Sequence, residues 1–330
     1  MKQHLHFKSA LMAITIVITA MTSATATAAD PWPSTKPVKI ITAFGAGSAS
    51  DIVARMIAEH LSATFHQTFI VDNRPGASGI IAAEAVARSA PDGYTLFLTT
   101  NTAHSANPYL FKKLPYEPIK DYTPIARVCY FPFVLAVDAA KPIADVAQLL
   151  AYAKDPANKA SYAYGNSTGQ VAGASFNALA GLKATPVPYK STPQALTDLS
   201  GGQVTFMFVD LASGQASLKS NRIRAIAVSS ARRSALVPDL PPVAEAASLP
   251  GFDLAAWVGV LAPAGLAPDT QKKLSDAIQQ YLARKEVVDK LTGMGADVAS
   301  GSAADLETLM KTQLEVWGRK VRDAGIEPES

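Results

Sequence analysis

Residues Val38–Arg55 read VKIITAFGAGSASDIVAR. Val38–Thr42 is a short apolar run, Phe44–Ser50 is a loop of mostly small residues, and Asp51 opens an amphipathic stretch. The pattern predicts a strand that feeds through a tight loop onto a helix N-terminus, the repeating unit of α/β sheets. It also predicts an anion site. The first amides of a helix lack intrahelical acceptors, the helix dipole favours negative charge there, and small residues let a ligand approach the backbone. A purely structural βα connection is the alternative. Gly45-x-Gly47-x-x-Ser50 also approaches the dinucleotide fingerprint, but the third glycine is missing and Asp72 lies further along than a ribose-binding acid should.

The alternation continues outward. Strands are predicted at 69–71, 94–98, 134–137, 161–164, around Val187, and at 204–208 and 223–228; helices are predicted at 51–64, 78–88, 143–154, 168–180 and 193–199. Short apolar strands with helices between them, punctuated by Gly, Pro and Asp, predict an α/β protein with mostly parallel sheets. Beyond 257–261 the chain reads as helical only, at 268–284, 286–291 and 303–324. Domain crossings are expected near 126–132 and 229–233. The reading is therefore two α/β domains, 30–130 plus 232–330 and 131–231, with a hinge and a ligand cleft between them.

Lys2 and Lys8 precede an apolar run from Ala10 to Met21, followed by small residues to Ala29. This is the pattern of a secretory signal peptide, 1–29, and the run is short for a membrane span. An exported, periplasmic protein is expected. The formal charge of +3 falls to +1 without Lys2 and Lys8, and no basic stripe points to nucleic acid. The single cysteine, Cys129, excludes an internal disulfide and a Cys-based metal site; beside Phe131 and Phe133 it reads as a buried small hydrophobe.

Catalytic chemistry finds little support. Beyond the leader only His60, His66 and His104 remain, the first two read as surface residues. There is no nucleophile elbow, no zinc-protease motif and no cluster at metal spacing, so no catalytic residue, cofactor or metal is expected. His104, in a polar stretch after a strand, is a candidate ligand contact. Ser78, in Gly76-Ala77-Ser78-Gly79, is the nucleophile that an exported hydrolase would need. A second candidate anion site is Tyr164-Gly165-Asn166-Ser167-Thr168-Gly169-Gln170, again a strand leading into a helix, where Ser167 or Thr168 could equally be a cap. Asp210, after the strand at 204–208, could meet ligand or cap the next helix.

Several strings now carry a resemblance. Trp32-Pro33-x-x-Lys36-Pro37, Val71-Asp72-Asn73-Arg74-Pro75-Gly76-Ala77, Pro91-Asp92-Gly93-Tyr94-Thr95-Leu96 and Lys113-Leu114-Pro115-Tyr116 occur in order. Val187-Pro188-Tyr189-Lys190, Leu199-x-Gly201-Gly202-Gln203-Val204 and Leu261-Ala262-Pro263-Ala264-Gly265 follow. Together they resemble the solute receptors of tripartite tricarboxylate transporters, also called Bug proteins. The resemblance implies a periplasmic-binding-protein fold of type II-like form, no enzymatic activity and a carboxylate ligand. It also implies delivery to a membrane permease with large and small subunits by a receptor expected to be monomeric. Its ligand-binding residues would be Phe44, Gly45, Ala46, Gly47, Ser48, Asp51, Asn101, Asn166, Ser167, Thr168, Tyr189 and Asp210. The family loop reads Phe-x-Pro-Gly-Gly-x-x-Asp. Here Ala46 replaces the proline, restoring an amide donor, and Ser48 replaces the second glycine, restricting φ. The 166–168 loop is shorter than in many members and lacks a histidine often found after it. That leaves room for an aromatic dicarboxylate such as terephthalate, ahead of aliphatic di- and tricarboxylates. A ligand sensor that signals to a membrane sensor kinase is the alternative role.

Overall fold

Strand β1 (Val38–Thr42) lies between β2 (Phe69–Asn73) and β3 (Thr95–Thr100), parallel to both. This computed structural model describes residues 32–329, so the predicted leader at 1–29 lies outside the described residues. Helix α1 (Ala49–Phe65) connects β1 to β2 and α2 (Ile80–Ala87) connects β2 to β3. Beyond β3 the chain makes a π-helical turn (Thr102–Ala106) and a short helix α3 (Asn107–Leu110) before β4 (Tyr122–Asp138).

The 17-residue β4 organises the rest of the molecule. From Tyr122 to Pro132 it pairs antiparallel with β9 (Ala255–Pro263); from Phe133 to Val137 it pairs antiparallel with β7 (Phe206–Asp210). Strands β8 (Ile223–Val228) and β10 (Asp297–Gly301) also pair with it. Past β7, the parallel strands β5 (Ser161–Tyr164) and β6 (Thr185–Pro188) complete the order β2-β1-β3-β9-β4-β7-β5-β6. The remaining helices are α4 (Val146–Lys154), α5 (Ser167–Leu179), α6 (Thr192–Ser200), α7 (Leu211–Lys219), α8 (Val243–Ala246), α9 (Pro268–Leu282), α10 (Lys285–Gly293) and α11 (Ala303–Asp323). Two apolar cores flank the switch in β4 pairing. One gathers Ile41, Phe97, Trp257, Leu261 and Leu306; the other gathers Val134, Ala163, Leu199, Met207 and Val209.

The α/β class holds, with corrections. The sheet is mixed, because β9 returns from late in the chain and inserts antiparallel between β3 and β4. A strand buried on both faces reads as one apolar run in either direction, so composition does not reveal orientation. The strand expected at 134–137 is only the end of β4; Pro124 and Pro132 mask the rest, and both are accommodated next to irregularities or partner changes. The C-terminal third is not helical throughout, since β10 intervenes without an alternating apolar pattern. The helix expected from Ser78 begins at Ile80, because Gly76, Ala77, Ser78 and Gly79 all have positive φ.

Candidate functional site

The loop after β1 is held from both ends. Gly45, Ala46 and Gly47 are exposed, and Phe44 is half-buried. Ser48 caps α1: its Oγ accepts the Asp51 amide at 3.2 Å. The Asp51 side chain is 4% exposed and accepts from the Gly47 amide at 2.9 Å, Asn73 Nδ2 at 2.9 Å and Arg55 Nε at 3.0 Å. Asn73 Nδ2 also donates to the Phe44 carbonyl at 3.0 Å. Burial pushes the Asp51 pKa up, but the donors from Arg55, Gly47 and Asn73 together bring it below the ordinary value. Asp51 is thus an ionised brace whose oxygens face its own loop. The Ala46, Ala49 and Ser50 amides stay outside this bonding. Gly47 needs its φ of 80°, whereas Ser48 sits at φ −69°. The serine in place of the family's glycine therefore adds a hydroxyl without backbone strain, contrary to the expected restriction.

The second loop is built just as firmly. Asn166 Oδ1 accepts the Gly169 amide at 2.8 Å and caps α5, while its Nδ2 donates to Thr192 Oγ1 at 3.1 Å. Gly165 is required by close approach, because a Cβ there would lie 2.3 Å from the Thr192 nitrogen. Tyr189 is half-buried and donates its hydroxyl to Asp198 Oδ2 at 2.7 Å; burial and that carboxylate push the phenol up to about 12. Asp210, 7% exposed, caps α7 by accepting the Ser213 amide at 2.8 Å, and burial raises its pKa.

The two loops are linked through a buried polar run after β3. Asn101 Nδ2 donates to Thr168 Oγ1 at 2.9 Å, and Ser167 Oγ donates to Asn107 Oδ1 at 3.1 Å. Asn107 Nδ2 in turn donates to the Ser78 carbonyl at 2.9 Å. The 76–79 turn also abuts the first loop: a Cβ at Gly79 would lie 3.1 Å from Ala43 Cβ. The structure thus joins Asn101 to Thr168 and Ser167 to Asn107, with Asn107 tied in turn to Ser78 in the 76–79 turn, which packs at Ala43 just ahead of the 44–51 loop. Sequence reading missed Asn107. The signal was present in Thr99–Asn107, where polar side chains crowd together directly after an apolar strand.

Other expectations change. His104 is fully buried, donates through Nδ1 to the Pro118 carbonyl at 2.8 Å, and packs 4.8 Å from Tyr122 and 5.9 Å from Trp257. Burial lowers its pKa to about 4, so it is a neutral core residue and not a ligand contact. His60 is half-buried, stacked 4.4 Å from Tyr281, while His66 is exposed as expected. Cys129 is buried as expected. A groove of about 150 Å³ lined by Leu211, Gln215, Leu236 and Val237 includes none of the expected site residues.

Residues 53–326 match the tripartite tricarboxylate transporter family receptor, TctC. The chain belongs to this family. It is 37% identical over 306 residues to a UPF0065 protein of Bordetella bronchiseptica, covering 93% of this chain and 90% of that relative. R. palustris Rpa4515, solved with adipate, superposes with a TM-score of 0.86 at 33% identity, covering 90% of this chain and all (100%) of that one. MatC (Rpa3494) from Rhodopseudomonas palustris, solved with bound malate, superposes at 0.80 with 31% identity over 87% of this chain and 99% of that one. This TctC-family chain accordingly has the fold of periplasmic solute-binding receptors, and among its described residues no helix is long and apolar enough to cross a membrane.

Proposed function

We propose that this receptor captures a small dicarboxylate between the 44–51 loop and the start of α5. The observation that carries the reading is the α1 entrance. An exposed loop is fixed by Asp51 and Asn73 while the Ala46, Ala49 and Ser50 amides remain outside its internal bonding. Such amides at the positive end of a helix suit a carboxylate. Asn101, Asn166, Ser167 and Thr168 would meet the distal end, and Tyr189 and Asp210 would shape the wall by holding their helices. The solved relatives with adipate and malate favour an extended aliphatic dicarboxylate, with terephthalate second. In this reading Pro132–Phe133, where β4 changes partners, serves as one hinge strand between domains 30–130 plus 232–330 and 131–231. The leader exports the chain, and a permease of large and small subunits takes the ligand.

The test is a thermal-shift panel of succinate, malate, adipate, citrate, terephthalate and aspartate. A ligand bound only by the folded state adds about 2.7 kcal/mol at a hundredfold excess over Kd. A shift with C4–C6 dicarboxylates is expected. A shift with terephthalate alone reverses the ligand order, and no shift with any carboxylate overturns the anion-site reading.

A further inference from the structure

We propose that Asn101 and Asn107 form a latch that holds the N-terminus of α5 against the π-helical turn before any ligand arrives. The inference rests on the reading above for its meaning, but not for its test.

Two hydrogen bonds cross this seam, Asn101 to Thr168 and Ser167 to Asn107. All four residues are 0–2% exposed. Neither bond uses a ligand atom, and both partners of each are neutral. Asn107 is itself braced from behind by the Ser78 carbonyl, in a turn where Ala77 at φ 44° and Ser78 at φ 51° occupy the left-handed region. Non-glycine residues hold that conformation only where their surroundings enforce it, and the Asn107 bond is one such constraint. The latch is therefore mounted on a fixed support.

The seam is also incompletely satisfied. Asn101 Oδ1 is buried without a protein partner. Unmet buried polar atoms oppose closure, because exposure lets water reach them. An apolar seam of the same extent would resist wetting; this polar one sets its two bonds against the unmet Asn101 oxygen. Asn101 and Asn107 act as positioning residues that set how often the ligand-free protein is open. A receptor closed in most molecules binds with an apparent affinity reduced by its open fraction.

The test uses the full mature chain without ligand. Glu59→Cys on α1 and Lys183→Cys after α5 are both exposed positions, suitable for spin labels, while Cys129 is buried. Double electron–electron resonance should give mainly one short separation in the parent. In Ser167→Ala/Thr168→Val, which cuts both bonds and spares the Asn107–Ser78 contact, the short-distance population should fall relative to the longer one by about tenfold. Asn101→Ala, cutting one bond from the other side, should shift it the same way by less, and circular dichroism checks that each variant folds. An unchanged distribution in the folded double variant overturns the latch, as does a parent that shows only the longer separation. If the distances shift but no carboxylate stabilises the protein, the latch stands and the functional reading falls.

Discussion

Replacing Asp51 by Asn changes one oxygen to an amide nitrogen with almost no change in volume, yet it should loosen the first loop. Both carboxylate oxygens accept: Oδ2 from the Gly47 amide and Arg55 Nε, Oδ1 from Asn73 Nδ2 and Arg55 Nη2. Whichever way an asparagine amide turns, its nitrogen faces donors. At least one charge-assisted bond becomes a donor–donor contact, and the other loses its charge. Hydrogen bonds to charged groups contribute about 1.5–3 kcal/mol each. The Arg55 side chain is 55% exposed, so its share is small. The expected loss is about 3 kcal/mol at neutral pH, or roughly 5–10 °C in Tm. The sign of the pH dependence follows from a folded-state pKa held below the ordinary value. The carboxylate's contribution is complete above the unfolded pKa and disappears as pH falls through the folded one. The gap between parent and variant should therefore be full at pH 7, narrow only below about pH 4 and vanish once pH has fallen through the folded pKa. Urea unfolding across this pH range measures it. A loss under 1 kcal/mol at pH 7, or a gap that persists in acid, would refute the account of Asp51 as an ionised brace.

Three further outcomes are expected. Gly165→Ala places a Cβ 2.3 Å from backbone at Thr192 and should destabilise the protein by about 2 kcal/mol or more while displacing Asn166; a neutral effect in chemical denaturation would contradict the close approach. Asn166→Ala removes the α5 cap and should cost about 1 kcal/mol of stability in the ligand-free protein, with weaker ligand binding measured by calorimetry; unchanged affinity would place the site elsewhere. His104 stays neutral in the fold to about pH 4 but takes a proton near pH 6.5 when unfolded. Stability should thus decline by about 3 kcal/mol as pH falls from 6.5 to 4 and level off below, and His104→Gln should abolish that slope; an identical slope in the variant would show that other groups cause it.

The first βα unit was legible because the Val38–Thr42 run and the small-residue loop are local signals; the Ser48 cap, read there as a ligand-facing hydroxyl, starts the helix two residues ahead of the expected Asp51. At the second loop the step from strand to helix was legible, but the cap is Asn166 and not Ser167 or Thr168, which lie inside the first turn of α5. What escaped is non-local. Nothing in residues 255–263 says that they will lie between β3 and β4, and nothing in Cys129 or Pro132 shows that one strand runs through both. Asn107 was hidden for a related reason: its partners, Ser78 and Ser167, are 29 and 60 positions away. His104 looked like a loop residue because its neighbours are polar, while the packing that claims it comes from Tyr122 and Trp257.

The position of β9 has a consequence for how the chain is made. Until residue 263 has emerged, β3 and β4 have no partner to join them, and the edges they present in the half-built sheet face solvent. The core around Phe97 and Trp257 cannot close by itself from the first half of the polypeptide. Contacts of such sequence separation slow folding. In a nascent chain of this design the two halves of the sheet, β2-β1-β3 and β4-β7-β5-β6, are joined only once residues 255–263 have been synthesised.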